Sequence, residues 1–378
     1  MKFLHIIPTY KPAYIYGGPV FSVSLLCENL AKAGHKVKVL ATTANGPAEL
    51  DVPVGKPVDV DGVEVIYFKR FTKDHTHLSP GLLLELWRDC RRYDTVHIHS
   101  WWNIPVMLSV LICWMRGVRP VLSPRGMLSD FSMGGGGMSP RHIFHRTVGK
   151  FLLRKTRLHA TSDAELAEMA GLGSDSFVLP NFIQLAEGEV RGKENEKTAR
   201  PFTVIFLSRI HQKKNLEGAL EALSRVGFDF RFKVAGAGDT GYLQQLKDLA
   251  ADKGLSDKVV WTGPLHGDEK FRFYADADLF VLPSFNENFA NVVIEVLSTG
   301  TPVLVSGEVG LSAYVKEHGL GWVCGTEPAD IAGKLEEIFS SNDLRNAIRG
   351  KAPDIIRKDF SPIAITRLYV AQYEQINR

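Results

Sequence analysis

Glu287 and Glu295 stand eight positions apart in the run Pro283-Ser284-Phe285-Asn286-Glu287-Asn288-Phe289-Ala290-Asn291-Val292-Val293-Ile294-Glu295. An apolar, strand-like stretch from Leu279 to Leu282 leads into this polar turn, and an apolar-periodic helix follows it. Glu287 therefore falls in the turn at a strand's end, and Glu295 falls inside the helix. At about 1.5 Å of rise per residue the two carboxylates lie roughly 10 Å apart. Paired glycosidase carboxylates stand closer, at about 5–9.5 Å. The wider spacing suits the two ends of an extended ligand. Glu295 can accept hydrogen bonds from a ribose diol, or it can be an ordinary exposed helical glutamate. Asn291 lies near the helix start, where free amides meet anions.

Other chemistry-bearing residues also follow strands. In Leu207-Ser208-Arg209-Ile210-His211-Gln212-Lys213-Lys214-Asn215, Arg209 leaves a strand end and Lys214 precedes a helix. Arginine as a fork and lysine as a point charge can clamp a diphosphate there, although a run of lysines also describes a solvated face. Gly236 belongs to a glycine turn, Val234-Ala235-Gly236-Ala237-Gly238-Asp239, whose missing third glycine weakens a dinucleotide reading. Gly17-Gly18 precedes a helix opened by Pro19. Such a loop can bring backbone amides to an anion or can be a plain tight turn.

In the first half, Val96-His97-Ile98-His99-Ser100 ends a strand with both imidazoles on one face. Two histidines can bind a metal, but no third ligand with suitable spacing stands nearby, so a packing and cleft-lining role is expected. Arg125, in Ser123-Pro124-Arg125-Gly126-Met127, also follows a strand and can reach an anionic or polyhydroxyl ligand. Asp276-Ala277-Asp278 looks like a metal-binding Asp-x-Asp but reads as a structural turn, and no obligate metal is expected. Gly134-Gly135-Gly136-Gly137 precedes a basic helix over 141–157, which carries Arg141, His142, His145, Arg146, Lys150, Arg154, Lys155 and Arg157. Its apolar stripe is Phe144, Val148, Phe151 and Leu152. It can dock on anionic lipid, grip an acceptor phosphate, or lie on the surface with its cations in water.

Positioning these residues takes more than one core. A chain of 378 residues exceeds the usual ceiling for a single one, so two domains are expected. Strand and helix signals alternate through both halves, as in parallel sheets covered by helices. Strands are predicted at Phe3–Pro8, Val37–Ala41, Val63–Phe68, Thr95–His99, Val121–Ser123 and Leu158–Thr161. The second half continues with strands at Thr203–Leu207, Phe230–Ala235, Val259–Thr262, Asp278–Leu282 and Pro302–Val305. The charged, large-apolar-poor stretch up to Arg200 marks a linker. The division is 1–183, a linker over 184–200, 201–360, and a terminal helical segment over 361–378. Open parallel sheets bind ligands beyond their strand C-termini.

The net charge of +3 gives no argument for nucleic acid. Cys27, Cys90, Cys113 and Cys324 lack paired spacing and read as reduced thiols. No signal peptide is read at the start. The longest apolar run, Ile104 to Met115, is too short to span a bilayer. A cytoplasmic protein is expected, with peripheral contact at the inner face of the membrane left open.

Taken together, Glu287 and Glu295, Gly17-Gly18, Ser208-Arg209 to Lys214-Asn215, Val234 to Gly238, and Leu179-Pro180-Asn181 resemble the family-4 retaining glycosyltransferases. These have the GT-B fold, two Rossmann-like doubly wound α/β domains facing a central cleft. The resemblance runs over nearly the whole chain. It implies a nucleotide-diphosphate sugar as co-substrate, bound mainly by the C-terminal domain, and a glycan or lipid-linked acceptor bound mainly by the N-terminal one. It further implies no metal and no other cofactor. Arg209 and Lys214 would neutralise the leaving diphosphate, Glu287 would hold the sugar, and Glu295 the ribose. Amides of Asn288, Phe289, Ala290 and Asn291 would add hydrogen bonds, with Gly17, Gly18 and Gly236 also lining the donor and His99 and Arg125 further substrate contacts. The implied role is polysaccharide synthesis at the cell surface. Two departures matter. Asn288-Phe289-Ala290-Asn291 replaces a Gly-Phe-Gly-like run, and Arg125 stands where many members carry histidine. Rival readings are a GT-B nucleotide-sugar epimerase and a non-catalytic nucleotide-sugar-binding scaffold.

Overall fold

The computed structural model describes residues 1–72, 74, 76–129, 132, 144–172, 175–186, 188 and 200–378. The tetraglycine stretch, Arg141, His142 and most of the charged linker lie outside the described residues. The chain divides into two compact units, Met1–Ile183 with Pro362–Arg378, and Gln184–Ser361.

Among its described residues the first unit holds ten strands: β1 (Lys2–Ile6), β2 (Lys36–Thr42), β3 (Ala44–Asn45), β4 (Ala48–Glu49), β5 (Pro57–Val60), β6 (Val63–Phe68), β7 (Thr95–His99), β8 (Val121–Ser123), β9 (Arg157–Ala160) and β10 (Ser176–Val178). Eight form one sheet in the order β10-β9-β8-β7-β1-β2-β6-β5, parallel throughout except for the edge strand β5. β3 and β4 pair in a separate small ribbon. Its helices are α1 (Gly18–Lys32), α2 (Pro80–Asp89), α3 (Ile104–Met115), α4 (Lys150–Leu153, entered by a π-helical turn over His145–Gly149) and α5 (Asp163–Glu168). All five residues of β7 are buried, as expected of a central parallel strand covered on both faces. Asn103 starts α3 by accepting a hydrogen bond from Val106 N at 3.1 Å, and Ser162 starts α5 in the same way. Leu82, Leu86, Val106, Val110, Leu152 and Leu153 bring α2, α3 and α4 onto a common core with β1 and β7.

The second unit holds β11 (Phe202–Leu207), β12 (Phe230–Ala235), β13 (Val259–Gly263), β14 (Leu279–Leu282), β15 (Val303–Ser306) and β16 (Gly321–Cys324). Its helices are α6 (Leu216–Leu223), α7 (Thr240–Asp252), α8 (Gly267–Ala275), α9 (Asn291–Ser298), α10 (Ser312–Glu317), α11 (Pro328–Ser340) and α12 (Asn342–Phe360). The sheet order is β13-β12-β11-β14-β15-β16, all parallel. Numbered within the unit this is 3-2-1-4-5-6, the doubly wound Rossmann order, and it reverses direction between β11 and β14. Open α/β sheets take their ligands beyond the strand C-termini at such a reversal. A last helix, α13 (Pro362–Ile376), belongs to the first unit.

Among the elements the sequence reading did not predict, β16 and α12 were missed for identifiable reasons. β16 begins with Gly321, where an added Cβ would sit 2.1 Å from Val303 O, so close backbone approach excludes the side chains that usually signal a strand. α12 contains Pro353, a residue that normally ends a helix, yet Ile348, Ala352, Ile356 and Phe360 keep a buried i, i+4 stripe through it. No helix among the described residues is long and apolar enough to cross a membrane.

Candidate active site

At this reversal the second unit brings together Lys214 and Glu287, two of the residues that the sequence singled out. After β11 the chain makes a single 3-10 turn, Gln212–Lys214, and then Asn215 adopts a left-handed conformation at φ 56° before α6 begins. Asn215 fixes this bend with its side chain. Its Oδ1 accepts from Gly218 N at 3.1 Å, while its Nδ2 donates to Pro283 O at 3.1 Å and to Thr326 O at 2.8 Å. The loops after β11 and β14 are thereby tied together. A backbone bond from Phe285 N to Lys213 O at 2.9 Å reinforces the tie.

Lys214 is delivered to Glu287 by this arrangement. Its Nζ donates to Glu287 Oε1 at 2.5 Å, with the two side chains only 10% and 15% exposed. Glu287 is held from the other side as well. Its N–H donates to Glu308 O at 2.9 Å, and its carbonyl accepts from Gly310 N at 2.8 Å. Arg209 is exposed and has no carboxylate partner among the described residues.

Gly236 and Gly238 have a positional explanation. A Cβ on Gly236 would stand 1.8 Å from Ser208 O, and one on Gly238 would stand 2.1 Å from Ile210 O. Ile210 N donates to Ala237 O at 2.8 Å, so the two loops run in backbone contact. The glycine turn therefore braces the segment that carries Arg209.

Ala290 sits at φ 71°, ψ 69°, immediately before α9. An L-residue is disfavoured there by about 1–2 kcal/mol. The bend turns the chain from Glu287 into a helix that starts at Asn291, with Phe289 buried beneath it. Asn288 and Asn291 flank this bend.

Glu295, one helical stretch further on, has partners that no sequence spacing announced. Lys270 Nζ donates to its Oε1 at 3.0 Å and Tyr274 OH to its Oε2 at 3.0 Å. Burial, followed by the Glu295 charge, pushes the Tyr274 phenol well above its ordinary pKa, so it remains a donor. Lys270 and Tyr274 lie on one face of α8, four residues apart, a spacing that marks a helical face but does not say which helix meets it. Asp278 accepts from Thr203 N at 2.8 Å and pairs with Arg200, which gives it a structural role at the foot of β14.

In the first unit, Gly17 takes φ 69° and ψ −136° ahead of α1, a conformation suited to glycine, and Gly18 is the first residue of that helix. Arg125 is also left-handed, at φ 55°. Its Nη1 donates to Ser22 Oγ at 2.9 Å and to Asn181 Oδ1 at 2.8 Å. Neutral groups thus hold it, and among the described residues it forms no ion pair. Burial lowers its pKa, with nearby tyrosines and Glu165 opposing.

His99 is fully buried, its Nε2 3.0 Å from His5 Nδ1. The expectation that no third histidine accompanies His97 and His99 is corrected here. Parallel pairing of β1 with β7 sets His5 beside His97, and one ligand atom from each of the three histidines lies within 4.8 Å of the others. Only strand register, invisible to local spacing, creates that trio. His97 commits Nδ1 to Tyr373 OH at 2.7 Å and Nε2 to Ser123 Oγ at 2.6 Å. Ser123 in turn bonds His159 Nδ1 at 2.6 Å. These contacts describe a hydrogen-bonded buried network.

Comparison with known proteins agrees with this architecture. Residues 16–187 match the family model described as Glycosyltransferase Family 4, and residues 189–354 match the one described as Glycosyl transferases group 1. The D-inositol 3-phosphate glycosyltransferase of Geodermatophilus obscurus is 32% identical, with 91% of this chain and 82% of that protein covered. Among solved structures, sucrose-phosphate synthase from Thermosynechococcus elongatus superposes with a TM-score of 0.76 at 18% identity, covering 100% of this chain and 99% of that one. HepE of Anabaena, in complex with UDP-glucose, gives a TM-score of 0.74 at 17% identity, covering 99% and 100%. The chain belongs to the GT-B glycosyltransferase family.

Proposed function

We propose that this protein is a family-4, retaining, metal-independent glycosyltransferase. It moves a sugar from a nucleotide diphosphate to a glycan or lipid-linked acceptor on the cytoplasmic side of the cell membrane, in polysaccharide synthesis. The observation that carries the reading is the Lys214–Glu287 pair, held by Asn215 at the point where the second unit's sheet reverses order. Crevices at such points are where open α/β sheets take their ligands.

In this reading the second unit binds the donor. The sugar–phosphate bond breaks with its electron pair leaving on the diphosphate. Arg209 and Lys214 neutralise the charge that develops there. The acceptor hydroxyl attacks the same face of the sugar, and its proton passes to the departing phosphate oxygen. No side chain acts as nucleophile. Glu287 holds sugar hydroxyls, and Glu295, oriented by Lys270 and Tyr274, holds the ribose. Amides of Asn288 to Asn291 at the α9 start complete the contacts, and Gly17-Gly18 and Gly236 let backbone approach the donor. In the first unit, Arg125, which has no carboxylate partner among the described residues, serves an acidic donor sugar or an acceptor phosphate. The activity of the D-inositol 3-phosphate relative favours the phosphate.

The test is acceptor-dependent release of nucleoside diphosphate, with product anomeric configuration read by NMR. A thermal-shift panel of UDP, GDP, ADP and dTDP identifies the base beforehand, and UDP leads because HepE was captured with UDP-glucose. A ligand at a hundred times its Kd stabilises by about 2.7 kcal/mol. Inverted product would remove the retaining assignment. No shift with any nucleotide would remove the donor assignment.

A further inference from the structure

Cys90 and Cys113 are brought together by the packing of α2 on α3. Residues three apart on a helix share a face. Trp87 and Cys90 therefore lie along one side of the end of α2, and Cys113 and Arg116 along one side of the end of α3. Arg116 Cζ stands 5.2 Å from the centroid of the Trp87 ring, so these two sides face each other. Both thiols are fully buried in the same apolar core. The Cys113 thiol donates to the Cys90 sulfur, and the Arg116 guanidinium donates to that sulfur as well. Arg116 Nε is buried and meets no oxygen or nitrogen acceptor among the described residues. Arg91, the residue after Cys90, donates from its Nε to Arg116 O at 2.5 Å, which ties the end of α2 to the end of α3.

These surroundings treat Cys90 unlike the other three thiols of the chain. Burial pushes Cys27 up, and it pushes Cys324 up to about 12. Cys113 is raised by the hydrogen bond it gives to Cys90 and then by burial. Cys90 is lowered, first by the Cys113 hydrogen bond, with Arg116 adding to it and burial opposing. Its place at the C-terminal end of α2 also works against a negative charge, so the donors outweigh two contrary effects. A guanidinium aimed at sulfur does nothing for apolar packing, but it stabilises a thiolate. A thiolate of lowered pKa beside a second thiol is the arrangement that reacts with peroxide and then closes a disulfide.

We propose that Cys90 and Cys113 form a dithiol that hydrogen peroxide oxidises to a reversible cross-link between α2 and α3. The Cys90 thiolate attacks one peroxide oxygen. The O–O bond breaks, the attacked oxygen stays on sulfur as a sulfenic acid, and the other leaves as hydroxide and takes a proton from solvent. The Cys113 sulfur then attacks the Cys90 sulfur. The S–O bond breaks, and the departing hydroxide takes the Cys113 proton as water. The two sulfurs together give up two electrons, and the peroxide is reduced to two waters. Arg116 holds the thiolate, and its side chain runs from the buried pair to the partly exposed ring of Trp87. A dithiol reductant reverses the cross-link by exchange. The inference is independent of the transferase reading.

The whole reduced protein is treated with hydrogen peroxide, quenched, unfolded, alkylated and mapped by mass spectrometry after trypsin, which leaves Cys90 in Asp89–Arg91 and Cys113 in Tyr93–Arg116. The two peptides are expected to appear joined and two hydrogens lighter than the separate pair. Cys27 and Cys324 should remain free to alkylate, and dithiothreitol should undo the link. Cys113→Ala should stop at a sulfenic acid on Cys90 that dimedone captures. Arg116→Gln should slow the reaction about tenfold, because it removes a charged donor from the thiolate, and should move the midpoint of its pH profile upward. Arg116→Lys should keep both near the parent's. Melting temperatures check that each variant is folded, and the parent's own map stands without them. A parent whose four thiols stay free, or whose Cys27 and Cys324 oxidise as fast as Cys90, would overturn the proposal. So would sulfenic acid on Cys113 instead of Cys90, or an Arg116→Gln rate and pH profile equal to the parent's.

Discussion

Lys214 Nζ stands 2.5 Å from Glu287 Oε1, so the cation proposed for the diphosphate and the carboxylate proposed for the sugar neutralise one another in the ligand-free chain. Each keeps the other from being a lone charge in a poorly solvated crevice. A donor spanning the two would replace this contact with one to phosphate and one to sugar hydroxyls. On the proposed function, the pair is a resting state that a donor of the right length opens.

Removing one member should therefore harm both activity and stability. Glu287→Ala should cut kcat/KM by at least about a hundredfold, an effect on the order of 3 kcal/mol. It should also lower the unfolding free energy by about 3 kcal/mol, because Lys214 is left without its counter-charge. Steady-state kinetics and urea midpoints measure the two losses. A variant as active as the parent would mean that the pair is purely structural.

Glu295 should behave differently. Glu295→Ala should weaken nucleoside diphosphate binding about tenfold, roughly one lost charge-assisted hydrogen bond, while kcat changes little. Lys270→Ala should weaken it less, since it only orients the carboxylate. Calorimetric titration with the nucleotide decides this. Similar small effects for Glu287→Ala and Glu295→Ala would show that the two carboxylates do not grip opposite ends of one donor.

The two special backbone positions predict opposite outcomes for equally small changes. Ala290→Gly relieves a left-handed alanine and should stabilise by up to about 1 kcal/mol. Gly236→Ala forces a Cβ into Ser208 O and should cost about 3–5 kcal/mol, or abolish folding of the second unit. Denaturation followed through Trp261 and Trp322, the tryptophans of that unit, reports both. A tolerated Gly236→Ala would mean the loops can separate freely.

Acid should strike the first unit first. Burial, with the Arg125 charge adding to it, holds His5 and His159 down to about 3, while His97 is lowered by burial and then by His159, and His99 by burial and then by His97. The unfolded chain takes these protons near pH 6.5, whereas the folded one refuses them. Stability is therefore complete above about 6.5 and is lost as pH falls towards 3. The slope from His5 and His159 alone is about 2.7 kcal/mol per pH unit. Urea midpoints between pH 7 and 4 measure it, and a flat profile would contradict the buried, neutral network.

Much of the candidate site was legible because its signals are local. The apolar run at Leu279–Leu282, the polar turn and the periodic helix place Glu287 and Glu295 without reference to the rest of the chain. Arg209 and Lys214 follow a strand in the same way. What was not legible depends on pairing between distant segments. Lys270 and Tyr274 reach Glu295 only because α8 packs on α9. His5 joins His97 and His99 only through strand register. Asn215 gave no sign that one amide would bind three separate backbone groups. The left-handed bend at Ala290 was hidden because alanine does not advertise that conformation, whereas a glycine would have.

The assignment of α13 to the first unit has a consequence for the order of folding. The second unit is one uninterrupted stretch, Gln184–Ser361, while the first is split around it. During synthesis the N-terminal sheet emerges early but lacks Tyr369 and Tyr373, whose hydroxyls reach Pro180 O at 3.1 Å and His97 at 2.7 Å. Its buried histidines wait for those partners. The later-made unit can therefore mature before the earlier one, and a nascent chain stalled after Ser361 would carry a finished second unit beside an unsealed first.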